Sequence, residues 1–265
     1  SRGLGDVYKR QEKLDLHHIP ALSNVLYSED ILFPIADFYL KKERWNEAIE
    51  VYEEMETIGA LQGRGAEYYQ KLGYALQKNK KYAEAIDAYL KADTLKPDNI
   101  WNNRHLAICY RLNRNYQAAL SYYKKVEEAT PEDTNVIFHI GSCLAELGQY
   151  EEAANYFFKL DFIESNCIKA WRGIGWCSFI SRKYEQAMKY YEKIIEQKPL
   201  AIDYMNAGHV AWTMGDIQKA AALYGKSITA NGNRERFLEM FRKDKEALLK
   251  QGIQEEDIPL MLDLL

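Results

Sequence analysis

The chain of 265 residues contains no apolar run approaching the ~18–20 residues that cross a bilayer as a helix, so no segment reads as a membrane span. It also lacks an excess of either charge. Lys and Arg number 35 against 39 Asp and Glu, a formal net charge of −4. That balance removes the general electrostatic reason to expect nucleic acid as a partner. Proline is scarce, at 6 residues, and cysteine scarcer, at 4. Zinc motifs pair their ligands roughly two to four residues apart. Cys109, Cys143 and Cys177 instead lie 34 residues apart, twice in succession. The five histidines (His17, His18, His105, His139, His209) offer no ligand spacing within a helix either. There is no G-x-S-x-G, no phosphate loop and no cysteine with a marked base. The expectation is therefore no catalytic residue, no cofactor and no metal. What the chain does have is 47% hydrophobic and 28% charged residues, too apolar for disorder, and 20 tyrosines.

The first eleven residues, SRGLGDVYKRQ, show no hydrophobic periodicity and no apolar region of a signal peptide. Asp6 to Gln11 resembles the translation of a transposon mosaic-end adapter, so residues 1–11 are expected to be non-native, with the natural sequence resuming near Glu12. Residues 12–28 read as a partial helix or cap.

The 34-residue interval of the cysteines recurs across most of the chain. It divides residues 29–233 into six units: 29–62, 66–99, 100–133, 134–167, 168–200 and 201–233. Unit position 20 is always alanine: Ala48, Ala85, Ala119, Ala153, Ala187, Ala220. Position 8 is always small, and position 24 is Tyr52, Tyr89, Tyr123, Phe157, Tyr191 or Tyr224. Position 17 is aromatic in five units (Trp45, Tyr82, Tyr116, Tyr150, Tyr184) and Ile217 in the sixth. Apolar and small residues within a unit recur at helical spacing in two blocks, which predicts two helices per unit. Small residues at positions 8 and 20 let the pair approach, and the aromatics at 17 and 24 are expected to fill the space toward the next unit. Pro97, Pro131 and Pro199 stop second helices; Gly148 and Gly215 sit where the first helix must turn. One such pair cannot bury its apolar face alone, so the units must stack.

The run Tyr69-x2-Leu72-Gly73-x2-Leu76, Ala85-x3-Tyr89, Ala92, Pro97 resembles the tetratricopeptide repeat signature, and the match recurs over about three-quarters of the chain. The resemblance implies an all-α, right-handed superhelical solenoid of helix-turn-helix repeats with a C-terminal helical cap. Departures are local. Pro34 lies inside the first helix of unit one, and Gly63-Arg64-Gly65 is inserted before unit two, where a bend or weaker contact is expected. Residues 234–265 read as two capping helices, the first marked by Phe237, Phe241, Leu248 and Leu249 and ending at Gly252.

In the family, positions 2, 5, 6, 9, 12 and 13 of each first helix line a groove for extended peptides or helices. Carried over, this selects Tyr74, Trp101, Arg104, His105 and Arg111 from units two and three. Units four to six add Phe138, His139, Lys169, Arg172, Trp176, Phe179, His209 and Trp212. Aromatic and arginine side chains together are the composition of binding hot spots. Basic residues outnumber acidic ones among the groove positions of units three to six, which predicts a protein or peptide partner bearing acidic and aromatic or aliphatic residues. On this reading Arg172→Glu with Trp176→Ala weakens binding and leaves the melting temperature nearly unchanged. The carboxylate clamp of the subgroup that binds heat-shock chaperone tails is matched at two of five positions by Arg104, Ile108, His139, Lys169 and Gly173, so that ligand is not expected. The four cysteines are expected reduced, which fits a cytoplasmic setting, with Cys167 expected as a lone, exposed thiol near a unit boundary. The leading expectation is a non-enzymatic adaptor. The competing readings are self-assembly through the Leu-rich C-terminal helices with the groove filled internally, and a regulatory fragment of a longer enzyme or secretion component.

Overall fold

In the computed structural model, residues 29–57 and 63–265 are described, and the segments assigned above to residues 1–11 and 12–28 lie outside them. Among the described residues there are fourteen α-helices and no strand. They come in pairs: α1 (Glu29–Lys41) and α2 (Trp45–Thr57), α3 (Gly65–Lys78) and α4 (Tyr82–Leu95), α5 (Ile100–Leu112) and α6 (Tyr116–Ala129). Then follow α7 (Thr134–Glu146) and α8 (Tyr150–Ile163), α9 (Ile168–Ile180) and α10 (Tyr184–Ile195), α11 (Ala201–Thr213) and α12 (Ile217–Asn231). The last two are α13 (Arg234–Lys250) and α14 (Asp257–Asp263). The chain divides into two compact units, the first ending at Val126 and the second covering Glu127–Leu265. Consecutive helices pack on one another within each.

The second helix of every pair begins at position 17 of its repeat, so the aromatic there opens a helix. Its ring is only half-buried, and Ile217 is exposed. Position 17 thus fills the space toward the next unit only in part, as where Trp45 meets Tyr74 of the following repeat edge-on at 6.1 Å. Position 24 is the buried one: all six of its rings are buried, Tyr52, Tyr89, Tyr191 and Tyr224 completely. The alanines at position 20 are fully buried as well. In four repeats the position-24 ring lies across a glycine at position 8 of its own repeat. A Cβ on Gly73 would stand 2.8 Å from the Tyr89 ring, and one on Gly208 would stand 2.5 Å from that of Tyr224. The small residue is required by the ring, and full burial of each ring contributes roughly 1.5–3 kcal/mol.

The turn between the paired helices has one solution throughout. Position 15 is left-handed in all six repeats: Glu43, Lys80, Arg114, Gly148, Arg182 and Gly215 have φ between 56° and 85°. Glycine occupies it in two repeats, and four side chains accept it at a cost. Several helix starts are capped in the usual way; Asp133 Oδ1 accepts from the Asn135 and Val136 amides at 3.0 and 3.1 Å, and Asn99 and Asp216 act likewise. After the Gly63–Gly65 insertion, α3 still docks on the preceding pair, with the Tyr68 hydroxyl donating to Tyr52 O at 2.7 Å and Lys71 Nζ meeting Asp37 at 2.8 Å.

The C-terminal helices close the second unit. Phe237 and Phe241 of α13 are buried against Tyr224, ring centres 5.6 and 5.7 Å away, and Ile258 and Met261 anchor α14. The end of α13 also reaches back: Gln251 Nε2 donates to Ile180 O at 3.2 Å, the Tyr184 hydroxyl donates to Gln251 Oε1 at 2.9 Å, and Arg182 Nη2 donates to Lys250 O at 3.0 Å.

Candidate functional site

The sequence-derived site residues separate into an aromatic patch in the first unit, a cleft in the second, and a set enclosed by the fold. In the first unit, α3 and α5 bring Tyr74, Trp101 and His105 together. The Trp101 and His105 rings are 4.0 Å apart, and Tyr74 stands 5.6 Å from His105 and 6.3 Å from Trp101. Trp45, at the start of α2, meets Tyr74 edge-on at 6.1 Å. Trp101 opens this patch to solvent, at 43% exposure. His105 Nδ1 lies 2.7 Å from Gln77 Oε1, which also accepts from the Tyr89 hydroxyl at 3.0 Å. That oxygen can only accept, so Nδ1 carries the proton. Burial, helped by the nearby charges of Lys78 and Arg104, holds the imidazole down at about 4, and it is neutral at ordinary pH. Arg104 is half-buried beside it, and Arg111 Nε donates to the Tyr123 hydroxyl at 3.4 Å. The patch is suited to stacking on flat or apolar groups.

In the second unit, α7 and α9 flank a one-sided cleft of about 370 Å³. Four of the expected residues meet in it: Phe138 from α7, and Lys169, Arg172 and Trp176 from α9. Ser142, Ala145 and Glu146 complete the α7 side, while Gly173 and the ring of Phe157 form the floor. His139 adjoins Phe138, ring centres 5.3 Å apart, but does not line the cleft. Lys169 Nζ stands 5.8 Å from the Phe138 ring centre and 3.4 Å from Glu164.

Arg172 is not available to a partner in the way the charge pattern suggested. Its Nε and Nη2 donate to Asp203 Oδ1 and Oδ2, both at 2.7 Å, and this bidentate pairing raises the guanidinium above its ordinary range. Asp203 is buried and also accepts the Leu200 amide at 2.7 Å. The sequence reading missed it. The available signal was its place at position 3, where Tyr68, Asn102, Val136 and Ala170 are also buried. An acid at such a position needs a partner.

Phe179, His209 and Trp212 are enclosed by the fold, at 1%, 0% and 5% exposure. Phe241 of α13 covers His209 and Trp212, with ring centres 5.4 and 6.4 Å away, and Phe179 stacks on His209 at 6.4 Å. His209 Nδ1 meets the Tyr224 hydroxyl at 2.8 Å, and Nε2 faces Asp244 at 3.4 Å. α13 covers His209 and Trp212 on the face the repeat pattern assigns to a ligand, and Phe179 is closed in by Tyr184 and His209.

The thiols are internal. Burial pushes Cys109 and Cys177 up to about 12, and Cys167 is also buried, its Sγ donating to Glu164 Oε2 at 3.3 Å. Cys167 is thus not an exposed thiol. Among the described residues no three His, Cys, Asp or Glu side chains gather as metal ligands, and no helix is long and apolar enough to cross a membrane.

Comparison with known proteins agrees with the architecture. Sequence models of the tetratricopeptide repeat match residues 32–62, 66–99, 111–177, 168–199 and 204–234, together more than half of the chain. No curated protein matches the sequence. Among solved structures, a tetratricopeptide repeat protein from Parabacteroides merdae is 19% identical with a TM-score of 0.62, over 89% of this chain and 97% of that one. YrrB, described as a TPR protein with an unusual peptide-binding site, is 21% identical with a TM-score of 0.57, over 67% and 92%. MamA from Desulfovibrio magneticus is 18% identical with a TM-score of 0.57, over 63% and 93%. With six helix pairs on a repeat of 33–34 residues, broken by one three-residue insertion, and family models matching more than half of the sequence, this chain belongs to the tetratricopeptide repeat family.

Proposed function

We propose that the protein is a non-enzymatic interaction module that takes a segment of a partner protein on the faces of its first helices. The fold itself is a general protein–protein interaction scaffold. The observation that carries the finer reading is the cleft between α7 and α9, where Phe138, Trp176 and Lys169 converge on a space the protein leaves open. The aromatic patch around Trp101 supplies a second contact surface of similar composition. A peptide is the natural first ligand to try, YrrB being a structural relative with a peptide-binding site. The test is to pan the whole chain against a random library of 12-residue peptides, counter-selecting with Trp176→Ala and, separately, Trp101→Ala. Peptides retained by the wild type and lost by either variant support the reading; no enrichment in any arm overturns it.

Self-association through the C-terminus has one observation in its favour: Leu260 of α14 and Leu264 just beyond it are exposed at 64% and 62%. Sedimentation of the whole chain against a form ending at Gly252 separates the two readings, since self-assembly requires the shorter form to lose a dimer that the longer one makes.

A further inference from the structure

The cleft between α7 and α9 has an apolar floor and sides and charged side chains at its two ends. The floor is the Phe157 ring, pressed between two glycines: a Cβ on Gly141 would stand 3.0 Å from it, and one on Gly173 would stand 2.5 Å away. In four other repeats position 24 carries a hydroxyl that engages a first-helix side chain: Tyr52 with Asp37, Tyr89 with Gln77, Tyr123 with Arg111 and Tyr224 with His209. Phe157 has none, and Gly173 contributes no side chain, so the floor offers rings and no hydrogen-bonding group. Phe138 and Trp176 form apolar sides. Phe138 and Phe157 stand 6.0 Å apart between ring centres, a wall on which a further aromatic ring packs favourably.

The two ends carry opposite charge. Lys169 sits in the first turn of α9, its ammonium beside Phe138 and paired at 3.4 Å with the half-buried Glu164, a surface pair with which a guest carboxylate can exchange. Glu146 is the last residue of α7, exposed and without an ion pair among the described residues. Eight residues of α7 separate Phe138 from Glu146, about 12 Å along the helix axis. The helix ends reinforce the sign at each place, since α9 begins near the ammonium and α7 ends at the carboxylate. Arg172 adds no net charge, being neutralised by Asp203.

We propose that this cleft selects a partner segment carrying an aromatic side chain between an acidic and a basic residue, the acid toward Lys169 and the base toward Glu146. An extended chain covers about 12 Å in three to four residues, so the two charges stand that far apart in sequence with the ring between them. The proposal rests on the peptide-binding reading above and replaces the simple preference for acidic partners with a directional one.

The test uses an enriched peptide from the library and fluorescence anisotropy with four proteins: wild type, Trp176→Ala, Glu146→Lys and Trp101→Ala. The expected result is loss of binding in Trp176→Ala and about fivefold weakening in Glu146→Lys, with recovery when the peptide's basic residue is changed to Glu. Unchanged affinity in Glu146→Lys together with loss in Trp176→Ala overturns the directional selection and leaves the interaction module standing. Loss in Trp101→Ala alone places binding on the first-unit patch and likewise overturns this inference only. A Trp176-dependent dimer in sedimentation makes the occupant a second copy and overturns it too. A library with no enriched peptide overturns both readings.

Discussion

Arg172 and Asp203, 31 residues apart in sequence, form a bidentate ion pair in which the carboxylate is buried and the guanidinium half-exposed. Removing the cation leaves Asp203 with a single backbone donor in an enclosed position. Arg172→Ala is therefore expected to destabilise the chain by about 1–3 kcal/mol, and Arg172→Glu by more, because two carboxylates then face each other. This reverses the sequence-based expectation of an unchanged melting temperature. Urea denaturation of Arg172→Ala, Asp203→Ala and the double variant tests it; strictly additive losses would show that the pair contributes nothing.

The rings at position 24 set a graded tolerance at position 8. A Cβ on Gly208 meets Tyr224 at 2.5 Å, while one on Gly141 meets Phe157 at 3.0 Å. Gly208→Ala is expected to cost about 1–3 kcal/mol, the range for overpacking, and Gly141→Ala distinctly less. Thermal melts of both variants decide the matter, and equal losses would contradict the ranking.

At position 15 the prediction runs in opposite directions for two residue types. Lys80 holds φ at 64° and Gly148 at 78°. Lys80→Gly relieves a left-handed side chain and should raise stability by up to about 1 kcal/mol, while Gly148→Ala should lower it by about as much. Chemical denaturation midpoints measure both; a Lys80→Gly variant less stable than wild type would refute the account.

His105 links the aromatic patch to pH. Burial lowers it from 6.5 to about 4 in the folded protein, so the fold favours the neutral ring. As pH falls below 6.5 the unfolded chain takes up the proton first, and stability is lost progressively until about 4, where both states are protonated. His105→Gln lacks this loss. The gap between wild type and His105→Gln should therefore move in the variant's favour from pH 7.5 to 4.5, and parallel stability curves would exclude the link.

Much of this architecture was legible because a repeat states each environment six times. Ala48 and Ala220 share a position whose burial needs no knowledge of the partner, and the position-24 rings follow from the same register. The pattern fails where the neighbour of a repeat is not another repeat. Trp212 and His209 carry the groove register, yet the neighbour they meet is α13, whose Phe241 answers to a different rule. Gln251 bonding to Ile180 is a contact across 71 residues that no local periodicity encodes. Asp203 escaped notice for a related reason: its partner lies in the preceding repeat, and a list of groove positions does not contain buried acids.

The three cysteines on the 34-residue register give the fold a use of their own. Cys109 in α5, Cys143 in α7 and Cys177 in α9 are all buried at equivalent places in successive repeats. A thiol reagent reaches Cys109 and Cys143 only when their own helix pairs open, while Cys177 borders the α7–α9 cleft at 1% exposure. Variants retaining only Cys109 or only Cys143 would report, through labelling rates in native buffer, the order in which neighbouring repeats come undone, with no probe added to the molecule.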